Sequence, residues 1–152
     1  MHRRTLLALP ALGLLLSACG GGDPQPEEIA LTHLVTNELG LVEPGTYVIR
    51  SLNELGAFWA ANPNDRYPTR ILPDVDFSRH AIVGIFAGPK PRCSTLRITG
   101  ASRLDSVLTV RWRIDTVITT PSSCIGNDTF NLNLGDLVLV PRDITEVRTV
   151  RE

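Results

Sequence analysis

Leu108, Val110, Trp112 and Ile114 alternate along the chain with Thr109, Arg111, Arg113 and Asp115. A period of two puts one set on each face of an extended chain, so the stretch predicts a half-covered strand with arginines on its outer side. Ile29, Leu31, His33 and Val35 alternate in the same way and predict a second strand. Leu96 and Ile98, alternating with Arg97 and Thr99, predict a third. The run Ala81-Ile82-Val83-Gly84-Ile85-Phe86-Ala87 differs, being apolar on both faces. A short run of that kind fits a central strand covered on both sides. Thr46 to Arg50, Phe130 to Val140 and Glu146 to Val150 complete the set of strands, with Gly135 expected at a bulge. Pro44-Gly45 and Asp105-Ser106 read as turns.

One helix interrupts this pattern. Ser51-Leu52-Asn53-Glu54 has the capping-box form, in which the serine caps the first turn and the glutamate reaches back. Leu52, Leu55, Phe58 and Trp59 follow at helical spacing until Pro63, which predicts a helix over 52–61 with its aromatic face in the core. Residues 62–73, with three prolines, read as a surface loop. The fold class expected is α+β, mostly β: a curved antiparallel sheet of five to seven strands with one packed helix. If residues 81–140 run as an antiparallel meander, the loops at 88–94 and 121–127 open from one end and the turn at 105–106 from the other.

The first residues read differently from the rest. Met1-His2-Arg3-Arg4 is a basic head, Leu6 to Leu16 is an apolar run, and Leu16-Ser17-Ala18-Cys19 resembles the lipobox of bacterial lipoproteins. The run is shorter than the roughly 20 residues that span a bilayer, so a cleaved export signal is the expected reading. Residues 1–18 are then a signal peptide, and Cys19 is the lipidated amino terminus of a tether over residues 19–27. Residues 28–152 form a single domain. Gly20 after Cys19, where an inner-membrane lipoprotein often carries Asp, leans towards an outer-membrane anchor on the periplasmic side.

Cys93 and Cys124 remain once Cys19 carries lipid. An even pair in an oxidising compartment predicts a disulfide, closing a loop of 32 residues (93 to 124). Such a closure contributes about 3–4 kcal/mol on the chain-entropy argument. Losing Arg3 and Arg4 with the leader lowers the basic residues from 15 to 13 against 16 acidic ones, a net charge near −3. No basic run is present to neutralise phosphates, which argues against a nucleic-acid partner.

Candidate chemistry is sparse. No Gly-x-Ser-x-Gly elbow, zincin helix or phosphate-cradling glycine loop occurs, and no metal or cofactor is implied. Ser94, Ser122 and Ser123 carry no local motif. His33 and His80 are expected to be structural, His80 as a polar residue at a strand entrance; either one beside a carboxylate in a cleft would be the sign of a dispersed catalytic site. Asp74 and Asp76 could be read as a calcium pair, but the better expectation is a turn in which Asp76 bonds backbone N–H groups. Arg111 and Arg113 flank Trp112 as a candidate partner-binding stripe, with Arg92 beside the expected disulfide as a third contact. Trp59, Phe86 and Trp112 would line a ligand pocket if helix and sheet left one between them.

Ser51-Leu52-Asn53-Glu54-Leu55 running on to Phe58-Trp59, then Leu72-Pro73-Asp74-Val75-Asp76-Phe77-Ser78, resemble in order and spacing the C-terminal domain of the protease-complex subunit PrcB family. Ile85-Phe86-Ala87-Gly88-Pro89-Lys90-Pro91, Leu96-Arg97-Ile98 and Leu137-Val138-Leu139-Val140-Pro141 extend the resemblance over roughly residues 48–141. Arg92-Cys93-Ser94 stands where that family often has a Gly-Gly-Tyr-like turn. The resemblance implies an exported lipoprotein that associates with a surface protease and supports it, with no catalytic residues of its own. The expected function is therefore a non-enzymatic, membrane-anchored protein that binds another cell-envelope protein. A small-ligand-binding lipoprotein is the alternative.

Overall fold

The doubly apolar run at 81–87 forms its strand because the chain supplies a cover for each face. In the computed structural model, which describes residues 23–36, 39–65, 71–89, 93–116 and 133–152, the elements run β1 (Glu27–Ile29), β2 (Thr32–Leu34), β3 (Gly45–Ile49), α1 (Leu52–Ala61), β4 (His80–Pro89), β5 (Ser94–Leu104), β6 (Val107–Thr116), β7 (Asn133–Pro141) and β8 (Glu146–Arg151). The mostly-β α+β class stands. The strands, however, divide between two four-stranded sheets, ordered β1-β5-β6-β8 and β2-β7-β4-β3, rather than forming one sheet of five to seven.

Three layers result. Ala81, Val83 and Ile85 of β4, with Val138 and Val140 of β7, face Leu96, Ile98, Leu108 and Val110 across the inter-sheet core. Ile82, Phe86 and Leu137 turn the other way, against Leu55 and Trp59 of α1 and against Leu39 and Val42. Alternate residues of β4 and β7 thus feed two separate cores, which is why neither strand shows a polar face. Tyr47, Phe58 and Phe86 add a ring cluster with centroids 5.0–6.0 Å apart, near the tilted and edge-on packing that aromatic rings favour.

The helix occupies the expected residues. Ser51 Oγ accepts the Glu54 N–H at 3.2 Å, and the Glu54 carboxylate reaches back to the Arg50 N–H at 2.7 Å, one residue beyond the usual capping-box donor. Leu52 lies at 61% exposure, so the buried face starts at Leu55, one turn later than its spacing suggested.

Two strand expectations change. The stretch 29–35 is not one strand: β1 pairs with β5 in one sheet and β2 with β7 in the other, so the chain crosses the sandwich edge at Ala30-Leu31. The crossing shifts the alternation, leaving Leu34 packed inward and Val35 exposed. The bulge expected at Gly135 sits on the opposite strand. Phe86 pairs with Gly135 and Pro89 with Asn133, so the extra residue belongs to β4, where Gly88 adopts φ +93°. Gly135 has another role, because a Cβ there would collide with the Phe86 ring.

Direction alternates from β4 to β7 as in a meander, although the chain changes sheets after β4, β6 and β7. Pro89 lies opposite Asn133 and Ser94 opposite Thr116, so the segments joining β4 to β5 and β6 to β7 leave from one end, as expected. The Asp105-Ser106 turn lies at the other end, with Asp105 at φ +54°, a conformation that Asp tolerates better than most residues. β8 starts at this same end after a short connection from β7, and so runs parallel to β6.

Candidate functional site

The outer face of the β1-β5-β6-β8 sheet is the one sheet face without a covering layer among the described residues. Alternation along β5 and β6 points Arg97, Arg111 and Arg113 outward, while Trp112 packs inward beside the inter-sheet core. Arg151 stands 5.4 Å over the Trp112 ring, a cation–π contact that closes the edge of that core. The stripe expected from the sequence is therefore present, with its tryptophan turned away from it.

The arginines differ in their partners. Arg111 donates to Glu28 at 2.7 Å and lies 3.9 Å from Glu152, and its guanidinium covers Gly100, where any Cβ would strike it. The Glu28 hydrogen bond raises the Arg111 pKa still further. Arg113 pairs with Asp115 at 3.0 Å. Arg97, directly opposite Arg113 in the β5–β6 register, forms no ion pair among the described residues. Two like charges facing each other across strands repel, so an anionic group arriving here would be favoured. Sequence reasoning passed over Arg97, although its place in the Leu96–Thr99 alternation marked it as outward-facing.

At the opposite end from the hairpin turn, Cys93 is disulfide-bonded and adopts φ +60°, a left-handed conformation that most side chains avoid. Arg92 and Cys124 lie outside the described residues, as do Cys19 and the leader.

His33 does meet a carboxylate. Its Nδ1 lies 2.8 Å from Asp136 Oδ2, with the histidine side chain 42% exposed and the aspartate 11%. The same oxygen accepts the Ile98 N–H at 2.8 Å, and Oδ1 accepts the Leu137 N–H at 3.0 Å. Asp136 is thus occupied in joining the two sheets: β1 pairs with β5 only from Ala101 onward, and beside the register shift at Ile98/Gly100 the carboxylate satisfies the Ile98 donor. A buried polar group with its partners met is structural in the first instance. Asp136 was missed on the sequence; a lone carboxylate inside the apolar run Leu134–Val140 was the available signal.

The remaining candidates resolve locally. Asp76 Oδ1 accepts both the Ser78 hydroxyl and the Ser78 N–H, and these bonds, the hydroxyl first, hold its pKa below the ordinary carboxylate value. Its carbonyl accepts the N–H groups of Arg79 and His80, making the expected turn into β4, of which His80 is the first residue. No group of three or more His, Cys, Asp or Glu residues suited to a metal occurs among the described residues, so Asp74 gains no ligand set there. Trp59 and Phe86 are packed to 2% and 3% exposure in the helix-side core, and Trp112 lies in a different layer, so these three do not line a common pocket.

Asn133, at 1% exposure, was also overlooked. It accepts the Val42 N–H at 2.7 Å and donates to the Gly40 carbonyl, pinning the buried segment between β2 and β3. No protein-family model, curated protein or solved structure matches this chain, so its site is defined by its own residues.

Proposed function

We propose that this chain is a non-enzymatic lipoprotein of the cell envelope, anchored through Cys19, that binds and supports another envelope protein through the open face carrying Arg97 and Arg113. The observation that carries the reading is the contrast in cover: β4 and β7 are buried on both sides, while the arginine face is open and holds an opposed like-charge pair. Interfaces favour arginine, and complementary charge speeds encounter and selects partners. The partner surface that answers this face is acidic. The resemblance of residues 48–141 to the PrcB C-terminal domain supports an exported protease as its class. The end of the domain that carries Cys93 offers a second contact, since loops held by a scaffold commonly carry recognition.

Photocrosslinking from position 95, exposed beside Arg97 on β5, in the anchored protein tests the reading. A discrete adduct should form from position 95, fail to form from the exposed Asn53 on the opposite side of the molecule, and weaken at least tenfold in an Arg97→Glu/Arg113→Glu variant. Identical adducts from both positions would count against it, as would recovery of bulk porins alone.

A further inference from the structure

The end of the domain at which the chain enters has a feature that partner binding does not use. β1 begins with Glu27 opposite Arg103, and the Arg103 guanidinium grips Asp143 through two bonds of 2.8 and 2.6 Å. Asp143 and Ser78, together with Arg79 and Arg142, line a surface cavity of about 390 Å³. The two arginines are held as neighbours by the Arg142 N–H bonding the Arg79 carbonyl at 3.0 Å. Neither forms an ion pair among the described residues. The nearby carboxylates are already committed, Asp143 to Arg103 and Asp76 to Ser78. Two guanidinium groups beside an open cavity are a donor set that phosphate oxygens match.

Arg79 also borders a second cavity, of about 210 Å³, whose walls combine Ile29, Leu139 and Pro141 with Thr32 and His80. A basic cavity and a slot of mixed polar and apolar lining that share one arginine offer contacts to both parts of an amphiphile. Their position agrees with this. From Cys19 to Glu27 is eight residue steps, which span at most about 28 Å when fully extended. The cavity end therefore stays near any bilayer to which Cys19 is anchored.

We infer that Arg79 and Arg142 form a binding site for the phosphate of a membrane-lipid headgroup, which orients the domain with its Cys93 end away from the bilayer. The phosphate chemistry follows from the cavity alone; the lipid as its source rests on the anchor proposed above. The two can fail separately. Labelled palmitate or glycerol incorporation at Cys19 reports on the anchor. The site is tested in the mature chain, residues 19–152, carrying Cys19→Ser, so that neither leader nor lipid is attached, by co-sedimentation with vesicles of phosphatidylcholine containing one-third phosphatidylglycerol and by titration with inorganic phosphate.

Arg79→Ala/Arg142→Ala should weaken vesicle binding by roughly thirtyfold, the order set by two basic residues at an anionic surface, with an unchanged thermal midpoint. Arg79→Lys/Arg142→Lys should retain most of the binding. Equal vesicle binding by the parent and the double-alanine variant would overturn the site. Binding of inorganic phosphate without any of vesicles would overturn the lipid assignment.

Discussion

The two sheets of this sandwich live in different surroundings. In β2-β7-β4-β3 the central strands are apolar on both sides, because α1 covers one face and the partner sheet the other. In β1-β5-β6-β8 one face completes the inter-sheet core and the other meets solvent with arginines and threonines. The first arrangement concentrates stability, and the second leaves a surface that can change without loss of the fold. Position in the layers, more than residue type, sets what each side chain contributes: Trp59 is core and Trp112 is half-buried, although both are tryptophans in regular elements.

The comparison breaks most visibly at the helix-side core. Trp59→Ala should cost about 3–5 kcal/mol, the usual range for deleting a fully buried aromatic ring, measured by urea unfolding. Trp112→Ala should cost clearly less, and equal losses would mean that the open sheet is packed as deeply as the covered one. Asp136→Ala should come next, at about 2–4 kcal/mol, because it strands the Ile98 and Leu137 N–H donors at once. His33→Ala should stay under about 1 kcal/mol, since its half-exposed ring supplies only one of the bonds to that carboxylate. If the histidine variant lost as much as the aspartate variant, the pair would matter more than the backbone staple.

Glycines sharpen the contrast further, with opposite signs. Gly135→Ala drives a methyl group into Phe86 and should destabilise by about 1–3 kcal/mol. Gly56→Ala has open space around its Cβ on α1 and should stabilise by about 0.5–1 kcal/mol. Thermal midpoints of the two variants should move in opposite directions.

The smallest effect is electrostatic. Asp143 has its pKa lowered from 3.8, first by the Arg103 hydrogen bond, and Asp76 likewise by Ser78. A carboxyl depressed in the folded state contributes stability that is complete above its ordinary value and is lost as the pH falls through its folded value. Both groups are exposed, so the contribution is small and well screened by salt. Arg103→Ala should lower the neutral plateau slightly, and its difference from the parent should vanish as the pH falls below about 3.8, leaving a shallower acid limb. A loss that persisted undiminished in acid would contradict the assignment.

How much was legible follows from which interactions are local. The helix at 52–61, the hairpin turn at 105–106 and the covered strand at 81–87 each depend on neighbours within a few residues, or on a pattern that one strand carries by itself. Division into two sheets depends on which strands meet, and alternation reads the same in either sheet. The split of 29–35 was hidden for that reason, since Ile29 and Leu31 continue one pattern although only two residues separate the strands. Among the site residues, Arg111 and Arg113 were visible because alternation alone puts them outside. The Arg79–Arg142 cavity was not, because its two halves are 63 residues apart in the chain (142 − 79).

The pattern of side chains by itself determined the mostly-β class, the place of the helix and the outward set of β6, because period and capping are properties of short segments. Only the tertiary structure decided that the strands form two layers, that Asp136 joins them, and that two distant arginines share a cavity at the chain's entry. Those are pairings between segments remote in sequence, and no local periodicity encodes which remote partner will be met.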